Sequence, residues 1–155
     1  MGIEQLDHYS IRTPDLARAI RFYEDALGFH SGPRPPLNSV GAWMYATPAA
    51  GDSAGRAIVH LSQVDGAPRS VDGTGGTGGT GALDHIAFAA SGIGALHARL
   101  DRLGMVFRER RVPDLGLHQV FVKDPDGVTI ELNYADPGDI AAGQHSLERR
   151  STAAG

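Results

Sequence analysis

Two histidines close the same tripeptide: Leu6-Asp7-His8 recurs as Leu83-Asp84-His85, and Leu27-Gly28 recurs as Leu103-Gly104 at nearly the same offset. The chain has no cysteine, so thiolate sites, disulfides and Cys nucleophiles are excluded, and a metal would be held by nitrogen and oxygen. Side chains alternate faces along a strand. Leu6, His8, Ser10 and Arg12 therefore share one side, and Tyr9 and Ile11 the other. Near the C-terminus Val128, Ile130 and Leu132 form an apolar row, while Thr129, Glu131 and Asn133 form the opposite one, which points Glu131 away from the core. At the matching end of the first half Ala57, Val59 and Leu61 face one way and Ile58, His60 and Ser62 the other, so His60 occupies the repeat position of Glu131. His85 shares its face with Leu83, Ala87 and Ala89, where an unpaired imidazole would be costly.

If the two halves pack with pseudo-twofold symmetry, His8, His60, His85 and Glu131 converge on one point. Three imidazoles and a carboxylate suit one borderline divalent ion (Zn, Ni, Fe, Co or Mn) better than Ca or Mg, which favour oxygen shells. A lone strand histidine is more often the partner of a backbone carbonyl than a ligand. Four repeat-related positions together favour the metal. His60 has a second reading, as an acid or base beside an ion held by the other three.

The elements that must position these residues follow from periodicity. Gln5 to Arg12 has strand character, and Leu16, Ala19, Ile20, Tyr23 and Leu27 then form an apolar stripe at helical spacing that stops at Gly28. Ile86 to Ala89 repeats the strand, and Ile93, Leu96, Leu100 and Leu103 repeat the stripe, closed by Gly104. Further strands are expected at Trp43 to Ala46, Ala57 to Ser62, Val106 to Arg110, Gln119 to Lys123 and Val128 to Tyr134. Asp124-Pro125-Asp126-Gly127 makes a tight hairpin between the last two. Residues 63–82, including a Gly/Thr run, read as a flexible connector: the run lacks the Gly-Lys-Ser/Thr ending of a phosphate loop and precedes a strand instead of a helix. The tail 135–155 shows little apolar periodicity and is expected to be peripheral.

At 155 residues and 41% hydrophobic content the chain suits one domain, spanning 1–134. Eighteen acidic against fourteen basic residues, a net charge of −4, argue against nucleic acid as a partner. No apolar run approaches the roughly 18 residues needed to cross a bilayer, and the N-terminus lacks a signal pattern. A small-molecule partner and a cytoplasmic location are the expectation.

The residues resemble a known superfamily, the vicinal oxygen chelate proteins, which include glyoxalase I, methylmalonyl-CoA epimerase, extradiol dioxygenases and fosfomycin or bleomycin resistance proteins. The resemblance runs to about Tyr134 and is carried by Leu6-Asp7-His8, the helix end Phe22-Tyr23-Glu24-Asp25-Ala26-Leu27-Gly28, Leu83-Asp84-His85-Ile86-Ala87-Phe88, and the run from Val122 to Leu132. It implies an α+β fold of paired βαβββ modules, about 4–62 and 83–134, forming a cupped mixed sheet around one metal ion, usually in a homodimer. By the same resemblance the activity is that of a Lewis-acid isomerase, epimerase or lyase on a small substrate with adjacent oxygens, with Glu131 both ligand and base. His60 fills a slot that usually holds Glu or Gln. Arg12 matches a glutathione-contacting arginine of glyoxalase I, but the asparagine expected after the first module's ligand is replaced by Val64, which argues against glutathione.

Two other readings remain. His8, His85 and Glu131 reproduce the two-His, one-carboxylate triad of an extradiol Fe(II) dioxygenase. Those enzymes, however, keep a small residue where His60 stands and a catalytic tyrosine where this chain has Phe121, with His118 and Gln119 as the available stand-ins. Alternatively, Trp43, Tyr45 and Phe121 line a cleft that sequesters an antibiotic or another aromatic ligand without chemistry, although strand aromatics more often pack in cores.

Overall fold

The computed structural model describes residues 2–46, 55–66, 80 and 82–153. Most of the glycine-rich connector therefore lies outside the described residues. The chain divides into two compact units, Met1–Gly79 and Thr80–Gly155.

In the first unit β1 (Tyr9–Thr13) leads into α1 (Leu16–Arg21), followed by a π-helical turn Phe22–Ala26 and the strands β2 (His30–Gly32), β3 (Gly41–Tyr45) and β4 (Ala57–Gln63). The sheet order is β1-β4-β3-β2, with β1 and β4 parallel and the rest antiparallel. Asp15 starts the helix by accepting the Arg18 N–H (2.9 Å); of the stripe expected from the sequence Ala19 and Tyr23 are buried and Leu16, Ile20 and Leu27 half-buried, while Phe22 and Ala26, outside that stripe, are buried as well. Gly28, at φ 77°, turns the chain out of it. The first strand is shorter than expected: Tyr9 opposite Val59 is the first residue with a partner on β4, so His8 stands just before the ladder, exposed. The edge strand β2 carries no sequence signal, being three residues long and ending in glycine.

The second unit repeats the plan with β5 (Ile86–Ala90), α2 (Ile93–Arg102), β6 (Phe107–Val112), β7 (Leu117–Lys123) and β8 (Thr129–Tyr134), in the order β5-β8-β7-β6. Each unit is thus a βαβββ module. The β7–β8 hairpin closes as expected: the Asp124 carboxylate accepts the Val128 N–H (2.7 Å) and Gly127 adopts φ 91°.

The C-terminal segment departs from the expectation of a peripheral tail. It forms α3 (Pro137–Ala153), which packs on α2, β6 and β7. Its docking face is small and polar, which hides it from a search for apolar periodicity. Gly143 lies so close to the fully buried His118 that an added Cβ would stand 2.7 Å from the ring, and Ser146 is buried. Asp139 on α3 also accepts the Gly92 and Ile93 N–H groups (2.9 and 2.8 Å), capping a helix that has no cap of its own.

Candidate metal centre

The register within each unit puts the two halves of the ligand set in equivalent places. His60 on β4 lies opposite Ser10 on β1, two residues after His8. Glu131 on β8 lies opposite Ala87 on β5, two residues after His85.

In the second unit His85 Nε2 is 3.3 Å from Glu131 Oε2. Two donors that share one ion at about 2.0–2.2 Å stand about 3.0–3.4 Å apart. The other side of each group is tied down. Asp84 Oδ2 lies 2.7 Å from His85 Nδ1; a carboxylate only accepts, so Nδ1 carries a proton and Nε2 is the ring atom turned toward Glu131. Glu131, 5% exposed, receives Gln119 Nε2 and Asn133 Nδ2 on Oε1, both at 2.8 Å, which leaves Oε2 toward His85. Arg110 Nε donates to Gln119 Oε1 (2.6 Å) and so fixes which end of that amide faces the carboxylate. Phe121, the cross-strand neighbour of Glu131, meets the His85 ring edge-on at 6.4 Å.

The first unit repeats the Asp–His arrangement: Asp7 Oδ2 lies 2.7 Å from His8 Nδ1, and Arg56 binds the other carboxylate oxygen at 2.6 Å. These hydrogen bonds, that from His8 first, hold Asp7 below its ordinary range; the bond from His85 does the same for Asp84. His8 and His60 differ from their counterparts in being stacked, ring centres 3.8 Å apart, with Trp43 on the far side of His60 at 4.3 Å and nearly parallel. An imidazole lone pair lies in the ring plane, so two face-to-face rings do not aim at one ion until one of them turns. Burial, then the neighbouring His8, lowers the His60 proton affinity.

Among the described residues no three His, Asp or Glu side chains are grouped to hold an ion. The four candidates come two to a unit.

Other expected contacts are rearranged. Arg12 is exposed on β1 opposite Ser62, in line with His60. Tyr45 serves its own edge, its hydroxyl donating to the Pro33 carbonyl (2.6 Å) and its ring stacked on His30. His118 does not stand in for a catalytic tyrosine: alternation sends it to the opposite face from Gln119, where its Nε2 binds Glu109 Oε2 at 2.9 Å. His97 Nε2 shares that oxygen at 3.1 Å. Sequence reasoning missed Asp7, Asp84, Asn133 and Arg110; the signal available for the first two was the carboxylate directly preceding each repeated histidine.

Residues 5–132 match the family described as Glyoxalase/Bleomycin resistance protein/Dioxygenase superfamily, and the chain belongs to it. No curated protein matches the chain. Among solved structures it is similar to a glyoxylase/bleomycin resistance protein/dioxygenase domain from Frankia sp. EAN1pec, at 19% identity and TM-score 0.62 over 87% of this chain and 100% of that one. Glyoxalase I of Leishmania major is 21% identical at TM-score 0.58, over 97% and 99%. The fosfomycin resistance protein FosX of Listeria monocytogenes, solved with Mn(II), is 16% identical at TM-score 0.60, over 89% and 97%. At these identities the likeness shows the fold. Among the described residues no helix is long and apolar enough to cross a membrane.

Proposed function

We propose that this chain is a divalent-metal-dependent enzyme, a Lewis-acid isomerase, epimerase or lyase for a small substrate with adjacent oxygens, in which His8, His60, His85 and Glu131 hold one ion. The observation that carries this reading is the His85–Glu131 pair, with both outward donor atoms, Nε2 and Oε2, left clear by hydrogen bonds behind them. When bound, such an ion polarises the substrate oxygens and offsets the negative charge that develops on them.

The chain's own groups supply the rest. Glu131 Oε2 would exchange the ion for the proton of the carbon beside a substrate oxygen and return that proton as product forms, while the two amide hydrogen bonds on Oε1 keep the carboxylate in position. Asp7 and Asp84 hold the imidazoles in the tautomer that can bind a cation. Phe121, Gln119 and Trp43 wall the two half-sites, and His60 is the alternative proton carrier. The same reading includes a homodimer, as the family resemblance implies; the connector is long enough for modules to pair within a chain or to exchange between two.

A neighbour solved with Mn(II) and another that is a glyoxalase I support metal-assisted chemistry over oxygen activation. The dioxygenase alternative loses its His118 stand-in, which is committed to Glu109. The metal-loaded protein, exposed to O₂ with a panel of catechols in an oxygen-electrode cell, is expected to consume no oxygen. Stoichiometric uptake with ring cleavage would replace this reading by the dioxygenase one.

A further inference from the structure

The second unit has a cavity of about 390 Å³ beside the Glu131 half-site, lined among others by Val106, Arg108, Phe121, Lys123 and Thr129. The register places it. Phe121 pairs with Glu131 on one side and with Arg108 on the other, and Lys123 pairs with Thr129. Residues 106, 108, 121, 123, 129 and 131 therefore project from one face of the sheet, and the cavity adjoins the carboxylate that the proposed chemistry uses.

Its polar character is cationic. The Arg108 guanidinium lies over the Phe121 ring, 4.0 Å from its centre. Among the described residues neither Arg108 nor Lys123 has a carboxylate within the 4.0 Å of an ion pair. Asp84, hydrogen-bonded to His85, feels the Arg108 charge but lies beyond ion-pair distance from it. Neighbouring arginines are engaged: Arg110 binds Gln119, Arg111 binds Gln144, and Arg150 binds Asp101. Val106, 92% exposed, and the Phe121 ring supply an apolar floor and rim. A cavity of this size is at the small end of small-molecule sites. A guanidinium stacked on an aromatic ring keeps its N–H edge for a planar or tetrahedral oxyanion.

We propose that this cavity is an anion subsite that takes the carboxylate or phosphonate of the substrate while the apolar body of the substrate lies on Phe121. This rests on the reading that chemistry takes place at Glu131, and it narrows the substrate to a small anion with one aromatic ring or a short alkyl chain between its charge and its adjacent oxygens. Arg108 and Lys123 orient the substrate and take no part in the proton transfer.

The test is isothermal titration of the full-length chain, metal-free and metal-loaded, with phenylphosphonate, phenylacetate and the uncharged phenylacetamide. Both anions are expected to bind, the amide about tenfold or more weaker, with anion affinity falling as salt is added. The ratio of the two anions identifies the preferred oxyanion. The double variant Arg108→Gln/Lys123→Gln, and Lys123→Gln alone to a lesser degree, should lose anion affinity with unchanged melting temperature. Glu131→Gln should lose the metal and keep anion affinity; a wild type that takes up no metal yet binds the anions would defeat the metal reading and leave the subsite standing. Equal binding of amide and anions, or undiminished anion affinity in the double variant, would overturn the subsite.

Discussion

His85 Nε2 and Glu131 Oε2 face each other at 3.3 Å, whereas their repeat-related counterparts, His8 and His60, lie ring upon ring with centres 3.8 Å apart. The same register in two sheets thus yields one pair already disposed to share a cation and one pair that must open to do so. Both pairs are backed by an aspartate on the histidine Nδ1.

Asp84→Asn should weaken metal binding by about 10–100-fold, because the amide no longer secures the Nδ1 proton and the ring loses its orientation. The dissociation constant from a competitive chelator titration reads this directly. An unchanged constant would make Asp84 an exposed acid with no part in the site.

Trp43 is the only tryptophan and stacks on His60 at 4.3 Å. If His60 turns to join the ion, Trp43 loses its neighbour, so its fluorescence should change saturably as Zn(II) is added and should follow the same curve as metal uptake. A flat signal during full metal uptake would remove His60 from the ligand set and leave it an acid or base.

Much of this arrangement is legible in the sequence because it depends on local pattern. Alternation in Ala57–Gln63 and Thr129–Tyr134 predicts that His60 and Glu131 stand in equivalent rows, and the helical stripes ending at Gly28 and Gly104 predict the helices between strands. What escapes is non-local or chemically atypical. The contact of Arg108 with Phe121 depends on which strands pair. The docking of α3 depends on Gly143, Ser146 and Asp139, none of which adds to an apolar stripe. His118 shows the cost of proximity in sequence: it neighbours Gln119 yet projects from the opposite face.

The second unit carries a buried acid whose titration should appear in its stability. Burial alone would raise the Glu109 carboxyl, but hydrogen bonds from His97 and His118 outweigh it and hold the group below its ordinary 4.5. A carboxyl with a depressed folded-state value stabilises the fold fully above the unfolded value and loses that contribution as pH falls through the folded one. Wild-type melting temperature should therefore drop on acidification below pH 4.5, and the drop should be smaller in Glu109→Gln, whose stability near neutrality should be lower by about 1–3 kcal/mol through the lost buried hydrogen bonds. Parallel acid limbs in the two proteins, followed by circular dichroism, would show that Glu109 does not couple to folding.

Elemental analysis of gently purified protein tests the central claim most directly. The wild type should carry one divalent ion per complete set of His8, His60, His85 and Glu131. His85→Ala and Glu131→Ala should each lose it with unchanged secondary structure, since neither side chain belongs to the apolar face that holds its sheet. Full metal occupancy in either variant would contradict the assignment.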